Sequence, residues 1–167
     1  MKHKHHEHIG ESMITREELK KKFGFSDEDF VKPLPKSMDW TKAFWEAANQ
    51  GQLVLKTCED CGHIDHPPYL YCTKCGSHNS QWRQASGTAT LVAFAVNTYG
   101  VPAAFIEDLP YVTAIVKLQE GPRMISNIVD CDHAALRNGM ALEVVFDRID
   151  ETVVLPKWRP AKEHRHE

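Results

Sequence analysis

Four cysteines with matched spacing are the residues of this chain best suited to chemistry. They form two Cys-x-x-Cys pairs, Cys58/Cys61 and Cys72/Cys75, with ten residues between the pairs and a glycine directly after each. Two intervening residues let both sulfurs of a pair face one ion, and glycine supplies the positive-φ backbone of so tight a turn. Four thiolates complete the tetrahedral shell that Zn²⁺ prefers. The pattern therefore predicts a structural zinc site with no open position for catalysis, rather than disulfides or scattered thiols.

Two alternatives to this ligand set remain open at the level of sequence. A rubredoxin-type iron site uses similar cysteine turns, although we expect a longer connection between its pairs. His63 and His66 are also possible ligands. Since four thiolates already fill the shell, these imidazoles are expected beside the ligands or in solvent.

No other residues form a recognisable active site. The chain lacks a phosphate-binding glycine loop, a Gly-x-Ser-x-Gly turn and a His-Glu-x-x-His motif. Glu107 and Asp108 are adjacent and would point in opposite directions, and His133 is expected to be a surface histidine. Cys131 stands between two aspartates, which disfavour a thiolate nucleophile. A binding or scaffolding role is predicted, with no catalytic residues in this chain.

Composition places the chain among soluble proteins. Of its 167 residues, 42% are hydrophobic and 26% charged, and no run approaches the ~20 apolar residues that a membrane helix needs. The start of the chain is histidine-rich and has no apolar stretch, so it does not resemble a secretory signal. With its thiols arranged for metal, the protein is predicted to be cytoplasmic. Residues 1–13 and 161–167 are predicted to be disordered tails.

The elements around the cysteines predict an α+β chain that is mainly β. An N-terminal helical segment is expected over 14–52. It begins with the capping box Thr15–Glu18 and includes a second helix from Asp39 to Gln50. Residues 53–85 are predicted to form the zinc ribbon, because strand-like segments flank the cysteine turns. Residues 86–160 are predicted to form a barrel.

Aromatic side chains of the second helix could serve the core or a partner. Trp40 and Phe44 share one face, while Trp45 projects elsewhere. Such an aromatic stripe more often belongs to the core, but a small ribbon has little apolar surface against which it could pack. A role in the core and a role in partner binding therefore both stay open. Trp40, Phe44 and Trp45 are therefore candidate partner-binding residues.

The barrel prediction depends on five β-rich segments separated by turn residues. A short helical insertion follows the third of them, which is the pattern of an OB-fold. The segments are 88–97, 110–118, 123–129, 140–148 and 152–155.

Charge argues against the usual ligand of such a barrel, single-stranded nucleic acid. Residues 86–156 carry four basic and nine acidic side chains, a formal charge of −5, and the whole chain has −3. Proteins of this class follow the phosphate backbone with lysine and arginine. An acidic barrel would repel that backbone.

Several short motifs, taken together, resemble a known family. It comprises small proteins with a rubredoxin-like zinc ribbon followed by an acyl-CoA-associated OB-fold, many of them thiolase-associated subunits. The resemblance covers about residues 34–160. The motifs are Phe44-Trp45-Glu46, Gly51–Lys56, the two Cys-x-x-Cys-Gly turns, Pro67-Pro68, Ser86–Thr88, Pro110–Val116, Glu120–Arg123, Gly139–Phe146 and Leu155-Pro156.

The resemblance implies a partner that carries the catalytic residues. Members typically accompany a thiolase-like or related CoA-ester enzyme as a separate small subunit, and some pair with hydratases. The chain is thus expected to be a non-catalytic subunit of a CoA-dependent thiolase (acyltransferase) complex. That complex would cleave a β-ketoacyl-CoA in the degradation of aromatic or related acids. Only the four zinc cysteines are carried over from the family. The alternative is a stand-alone module that binds acyl-CoA or single-stranded nucleic acid.

A basic and aromatic triplet follows the last predicted strand. Lys157, Trp158 and Arg159 could reach the phosphates or adenine of a CoA ester, or they could be an ordinary strand end. They are the candidate CoA-binding residues of this chain.

Overall fold

The computed structural model describes residues 15–162, and it begins with helix α1, Arg16–Phe23. The Thr15 hydroxyl accepts a hydrogen bond from the Glu18 N–H at 3.3 Å, and the Glu18 carboxylate accepts one from the Thr15 N–H at 2.8 Å. Gly24 ends the helix in the left-handed conformation, with φ of 74°. The predicted capping box is therefore confirmed.

The N-terminal segment, residues 15–35, packs on the barrel through a small core of its own. Leu19 of α1 and Phe30 of a 3-10 turn, Glu28–Phe30, bury against Ala103. Ala103 begins a second 3-10 helix, Ala103–Asp108, between the predicted strand segments 88–97 and 110–118. This core contains none of the residues of the main core.

Helix α2 spans Lys42–Asn49, so it is shorter than the predicted Asp39–Gln50. The residues before it form a turn instead. The Thr41 hydroxyl accepts from the Met38 N–H at 2.9 Å, and the Thr41 N–H donates to the Met38 carbonyl at 2.8 Å. These bonds hold the chain in the turn and delay the helix by three residues.

The ribbon is a three-stranded antiparallel sheet of order β2-β1-β3. Its strands are β1 (Val54–Cys58), β2 (Ile64–Asp65) and β3 (Ser80–Gln84). Strand β1 ends at the first cysteine ligand. Lys56 pairs with Asp65 on one side and with Trp82 on the other.

Five strands close into a barrel of order β4-β5-β6-β8-β7, and a 3-10 turn, His133–Ala135, lies between β6 and β7. The barrel is closed by a parallel contact between β6 and β8, at the register pair Ile128↔Trp158. Together with the ribbon and the two helices, this arrangement confirms the predicted fold class. The strands are β4 (Thr88–Asn97), β5 (Tyr111–Leu118), β6 (Arg123–Ile128), β7 (Ala141–Arg148) and β8 (Val154–Pro160).

Strand β8 starts later and runs further than the predicted segment 152–155. That prediction stopped before Pro156, and proline cannot donate to a sheet ladder. In the structure the carbonyls of Pro156 and Trp158 accept from Ser126 Oγ and the Val129 N–H, on the β6 side. Within one strand residue the nitrogen and the carbonyl oxygen face the same neighbouring strand, so the nitrogen of Pro156 faces away from β7. Residues an even number apart along a strand point the same way, so the nitrogen of Pro160 does the same. The antiparallel pairing with β7 therefore continues from Val154 to Pro160.

One hydrophobic core joins α2, the ribbon and the barrel. Trp158 has 0% exposure and packs with Leu91 of β4, while Phe44 of α2 and Leu53 and Leu55 of the ribbon belong to the same cluster. The Asn49 amide also donates to the Thr152 carbonyl at 2.9 Å, which ties the end of α2 to the turn before β8. The ribbon is thus fixed relative to the barrel.

Candidate functional site

Each cysteine pair is folded into the same turn. The N–H of Gly62 donates to the Cys58 carbonyl and that of Gly76 to the Cys72 carbonyl, both at 2.9 Å. The two glycines have φ of 69° and 77°, which favours glycine at these positions. The Cys58 N–H donates to the His63 carbonyl and the Cys72 N–H to the Ser77 carbonyl. Each turn therefore has a second backbone hydrogen bond, to a residue beyond its second cysteine.

The four sulfurs converge on one point. All of them lie within 4.8 Å of one another, with Cys58 Sγ 3.6 Å from Cys75 Sγ and Cys61 Sγ 3.7 Å from Cys72 Sγ. A tetrahedral zinc with bonds of about 2.3 Å requires sulfurs about 3.8 Å apart. The cysteines therefore fit a four-thiolate zinc site, which would supply structural cross-linking and leave no coordination position for substrate.

Backbone N–H groups stabilise ionised sulfur in this cluster. Burial raises the pKa of the Cys72 thiol, but donors from the Cys75 and Lys74 backbone and the neighbouring Cys61 thiol outweigh it, so that the pKa falls to about 7. At Cys75 the Ser77 N–H lowers the pKa, but the thiol of Cys61, burial and the thiols of Cys58 and Cys72 outweigh it, so that the pKa rises to about 12. The donors that favour the Cys72 thiolate would also favour its bond to a metal ion.

The histidines near the cluster do not join it. Among the described residues, the group of metal-type ligands consists of the four cysteines. His63 Nε2 lies 3.4 Å from the Asp65 carboxylate, and the His66 ring packs 5.8 Å from the Phe44 ring, measured between centroids. Burial lowers the pKa of His66.

A groove of about 310 Å³, the junction groove, lies where the three units of the chain meet. Its walls are predominantly apolar and come from α2, from the segment after the first cysteine turn, and from β6 and β8. The lining includes Phe44, Trp45, Pro67, Pro68, Ile125 and Leu155.

A second groove, the face groove, has a volume of about 670 Å³ and lies between the linker Lys32–Pro35 and the outer face of β5 and β6. Phe105 and Ile149 bring the β4–β5 and β7–β8 loops to its rim. In OB-folds the second and third strands and these two loops form the ligand-binding face. Here the N-terminal segment covers part of that face.

Comparisons with known proteins match both halves of the chain. The model for "ChsH2, rubredoxin-like zinc ribbon domain" matches residues 45–80, and the model for "ChsH2, C-terminal OB-fold domain" matches residues 82–147. A "DUF35 domain-containing scaffold protein" of Methanocaldococcus jannaschii is 35% identical over 100 residues, which are 59% of this chain and 70% of that protein. The chain belongs to the DUF35 family.

Relatives of this DUF35 chain include enzyme subunits and a solved complex. A "Probable enoyl-CoA hydratase alpha subunit" of Thermomonospora curvata is 34% identical over 132 residues, 78% of this chain but 40% of that protein, so the chain spans well under half of that relative. A chain of the structure "Ltp2-ChsH2(DUF35) aldolase" has a TM-score of 0.70 and 31% identity. The match covers 76% of this chain and 98% of that one.

The predicted partner-binding aromatics of the DUF35 chain lie in different environments. Trp40 is exposed, Trp45 is half-buried beside the junction groove, and Phe44 is 5% exposed within the main core. The rings of Phe44 and Trp45 meet edge to face, with centroids 5.0 Å apart. Phe44 can thus contact a partner only where its ring forms part of the wall of the junction groove. Partner binding by all three residues stays a prediction.

The predicted CoA-binding triplet is part of β8. Trp158 is fully buried in the barrel, so it cannot stack on an adenine while the barrel is closed. Lys157 and Arg159 point outward, where Lys157 pairs with Asp147 at 2.5 Å and Arg159 with Glu143 at 2.7 Å. Lys157 lines both grooves. CoA binding by the two basic residues stays a prediction.

Sequence reasoning missed several exposed apolar residues, of which Ile125 lines both grooves. Ile125 lies in the middle of β6 and Tyr69, Leu70 and Tyr71 form an exposed run before Cys72. The run could have been noticed as three consecutive large apolar residues beside a prolyl pair. The local sequence of β6 does not show that Ile125 is exposed, because which residues of the strand face the core depends on how the barrel closes. Within residues 15–162, no helix has the length and apolar character needed to cross a bilayer.

Proposed function

We propose that this DUF35 chain is a non-catalytic subunit of a complex that processes CoA esters, and that its partner is a thiolase-like large subunit. The observation that carries the proposal is the match of its ribbon and barrel to the DUF35 chain of the Ltp2-ChsH2 aldolase, 98% of which is covered. The name of the hydratase relative from Thermomonospora curvata also refers to CoA chemistry. A complete four-thiolate zinc site is consistent with a non-catalytic scaffold role, because it leaves no coordination position for a substrate.

The finer form of the proposal is a CoA-dependent thiolase. In such a reaction the partner would supply the nucleophilic cysteine, and free CoA would cleave a β-ketoacyl-CoA. Within the family the sequence resembles the small subunit of benzoylsuccinyl-CoA thiolase, which suggests an aromatic acyl group. We propose a cytoplasmic hetero-oligomer in which helix α2 and the ribbon contact the large subunit.

The outward-facing basic residues of β8 are proposed to contact the CoA ester. Lys157 opens onto both grooves, and Arg159 lies two residues further along the same face of the strand. Each is paired with a carboxylate, so binding of a phosphate would require Asp147 or Glu143 to release its partner. Arg159→Ala should weaken the affinity of the complex for a CoA ester, and unchanged affinity would remove this part of the proposal.

Native purification tests the proposed function. The protein is isolated from its source cells by gentle affinity and size-exclusion steps, and the co-eluting chains are identified by mass. We expect a stoichiometric large subunit whose thiolytic or related CoA-ester activity is lost when the small chain is removed. A monomer near 19 kDa that retains zinc would contradict the subunit role and favour the alternative, a stand-alone acyl-CoA or nucleic-acid binding module.

Two observations count against nucleic acid within that alternative. The barrel region has the formal charge of −5 given above, and Lys32–Pro35 lies across the face that OB-folds use for oligonucleotides. A titration of labelled oligo(dT) at low salt should therefore show no binding. Binding in the micromolar range or tighter would reverse this conclusion.

A further inference from the structure

The outer face of β6 presents an unusually exposed apolar side chain. Ile125 is 74% exposed, although it stands in mid-strand between Met124, which is buried, and Ser126, which is half-buried and whose hydroxyl bonds to β8. Its register partner on β5, Ile115, is also exposed. Single exposed apolar residues are common, so this feature needs support from its surroundings.

That support is the position of Ile125 between two grooves. The junction groove and the face groove both include Ile125, Asn127, Leu155 and Lys157 in their walls. The side chain therefore forms a ridge with a concave apolar surface on either side. A small ligand would fill one groove and leave the ridge in water, whereas a protein surface can cover all three.

The chain between Leu34 and helix α2 extends the apolar area. Leu34 lines the face groove and Thr41 lines the junction groove, so the chain between them passes along the edge of this face. That stretch carries Met38 and Trp40, both exposed. Tryptophan and methionine are enriched where proteins bind one another.

Charge indicates which kind of surface would fit. The two lysines of the face groove are already paired, Lys32 with Asp108 at 2.6 Å and Lys157 with Asp147. Asp130 adds a third carboxylate to the lining. The rim is thus neutral to acidic within an acidic barrel, and it is complementary to a basic surface.

We infer that the face around Ile125, with the two grooves beside it, is the docking surface for the CoA-ester-processing large subunit. The large subunit places apolar side chains in the grooves and basic side chains against the carboxylates of the rim. This inference depends on the proposed function for the identity of the partner. The junction groove includes Phe44, Trp45 and Lys157 in its walls, so the docking surface overlaps the candidate partner-binding and CoA-binding residues, and Ile125 is the residue that tests it alone.

The test uses the large subunit recovered from the stoichiometric complex, then produced alone, and full-length variants of this chain. Ile125→Lys should raise the Kd at least about tenfold, because it places a charge in an apolar contact. Ile125→Glu, of similar size, should raise it less, since its charge is opposite to that of the basic partner surface. Tyr99→Lys is the matched control: Tyr99 is 86% exposed and lines neither groove. Thermal midpoints should be unchanged in all three.

A photoreactive phenylalanine analogue at position 125 provides a second measurement. We expect a crosslink to the large subunit from position 125 and none from position 99. A Kd that Ile125→Lys leaves unchanged, or a crosslink only to a second copy of this chain, would overturn the inference and leave the proposed function intact. Equal effects of lysine and glutamate would overturn its electrostatic part. If the wild-type chain forms no stoichiometric complex, the proposed function and this inference both fail.

Discussion

The carboxylate of Asp65 joins the two cysteine turns by binding Thr73. One oxygen accepts a hydrogen bond from the Thr73 hydroxyl and the other from the Thr73 N–H at 3.3 Å. Asp65 is buried in β2, next to the first turn, while Thr73 stands between Cys72 and Cys75. The turns are therefore coupled by a contact that does not include the metal ligands.

Removal of this contact should weaken metal binding without altering a ligand. Thr73→Val keeps the shape of the side chain but removes the hydroxyl, and groups that orient metal ligands typically change affinity roughly 10- to 100-fold. We expect a loss within that range in a chelator competition assay. Thr90→Val, on the exposed side of β4, is the control. Equal zinc affinity in the two variants would contradict this role.

Loss of a ligand should affect the fold as well as the metal. Cys72→Ser is expected to abolish stoichiometric zinc and to lower the thermal midpoint, because the ribbon contributes Leu53 and Leu55 to the main core. Cys131→Ser should keep full zinc content. Metal analysis with calorimetry would measure both effects, and a zinc-free Cys72→Ser chain with the wild-type midpoint would contradict the coupling.

Among the glycines of residues 15–162, Gly87 should be the least tolerant of substitution. Its φ is +76°, and a Cβ there would lie 2.9 Å from Val144 Cγ1. Gly100 has a similar φ, +71°, with open space around it. Gly100→Ala thus measures the backbone strain alone, and Gly87→Ala should cost about 1–3 kcal/mol more through overpacking. Chemical unfolding of both variants measures the difference, and equal costs would mean that Val144 moves aside freely.

His66 should make stability depend on pH. Burial lowers its pKa below the usual 6.5, so the folded state prefers the neutral ring. The contribution of the neutral His66 ring to the free energy of unfolding is complete above pH 6.5. It is lost as the pH falls from there through the lower pKa of the folded state. The free energy of unfolding of the wild type, relative to His66→Gln, should decline over that window. His78→Gln, which alters an exposed ring, should follow the wild type. A constant difference between wild type and His66→Gln would refute the assignment.

The N-terminal segment should loosen independently of the rest. Leu19→Ala removes a buried side chain from the small core with Phe30 and Ala103, at a cost of about 2–5 kcal/mol. Hydrogen exchange should accelerate over residues 16–30, while zinc content and the protection of β4–β8 stay unchanged. Leu91→Ala, in the main core, should instead accelerate exchange in the barrel. Identical exchange patterns would show one cooperative unit.

The parts predicted from sequence are those fixed by local chemistry. Cysteine spacing with Gly62 and Gly76 predicted the metal cluster, and β-rich segments bounded by turn residues predicted the five strands and the short helical insertion after the third. Family resemblance strengthened both. The predicted element ends failed where a specific hydrogen bond, local or distant in sequence, decides. Thr41 bonds back to Met38, and Pro156 is tolerated in β8 because its nitrogen faces β6.

The grooves could not be predicted in the same way. The junction groove is built from α2, the ribbon and two barrel strands, so its existence depends on how three units pack. The burial of Trp158 likewise depends on closure of the barrel, which turns a residue that looked available for stacking into the largest side chain of the core. Single-sequence patterns carry no information on either packing.

The position of β8 in the barrel has a consequence during translation. The ribbon and its four ligands are complete once Gln84 has left the ribosome, whereas β6 and β7 have no neighbour on one side until residues 154–160 emerge. Unpaired strand edges are templates for wrong pairing. The four cysteines are thus available to a metal ion before the barrel can close, and β8 removes both open strand edges when it pairs with β6 and β7.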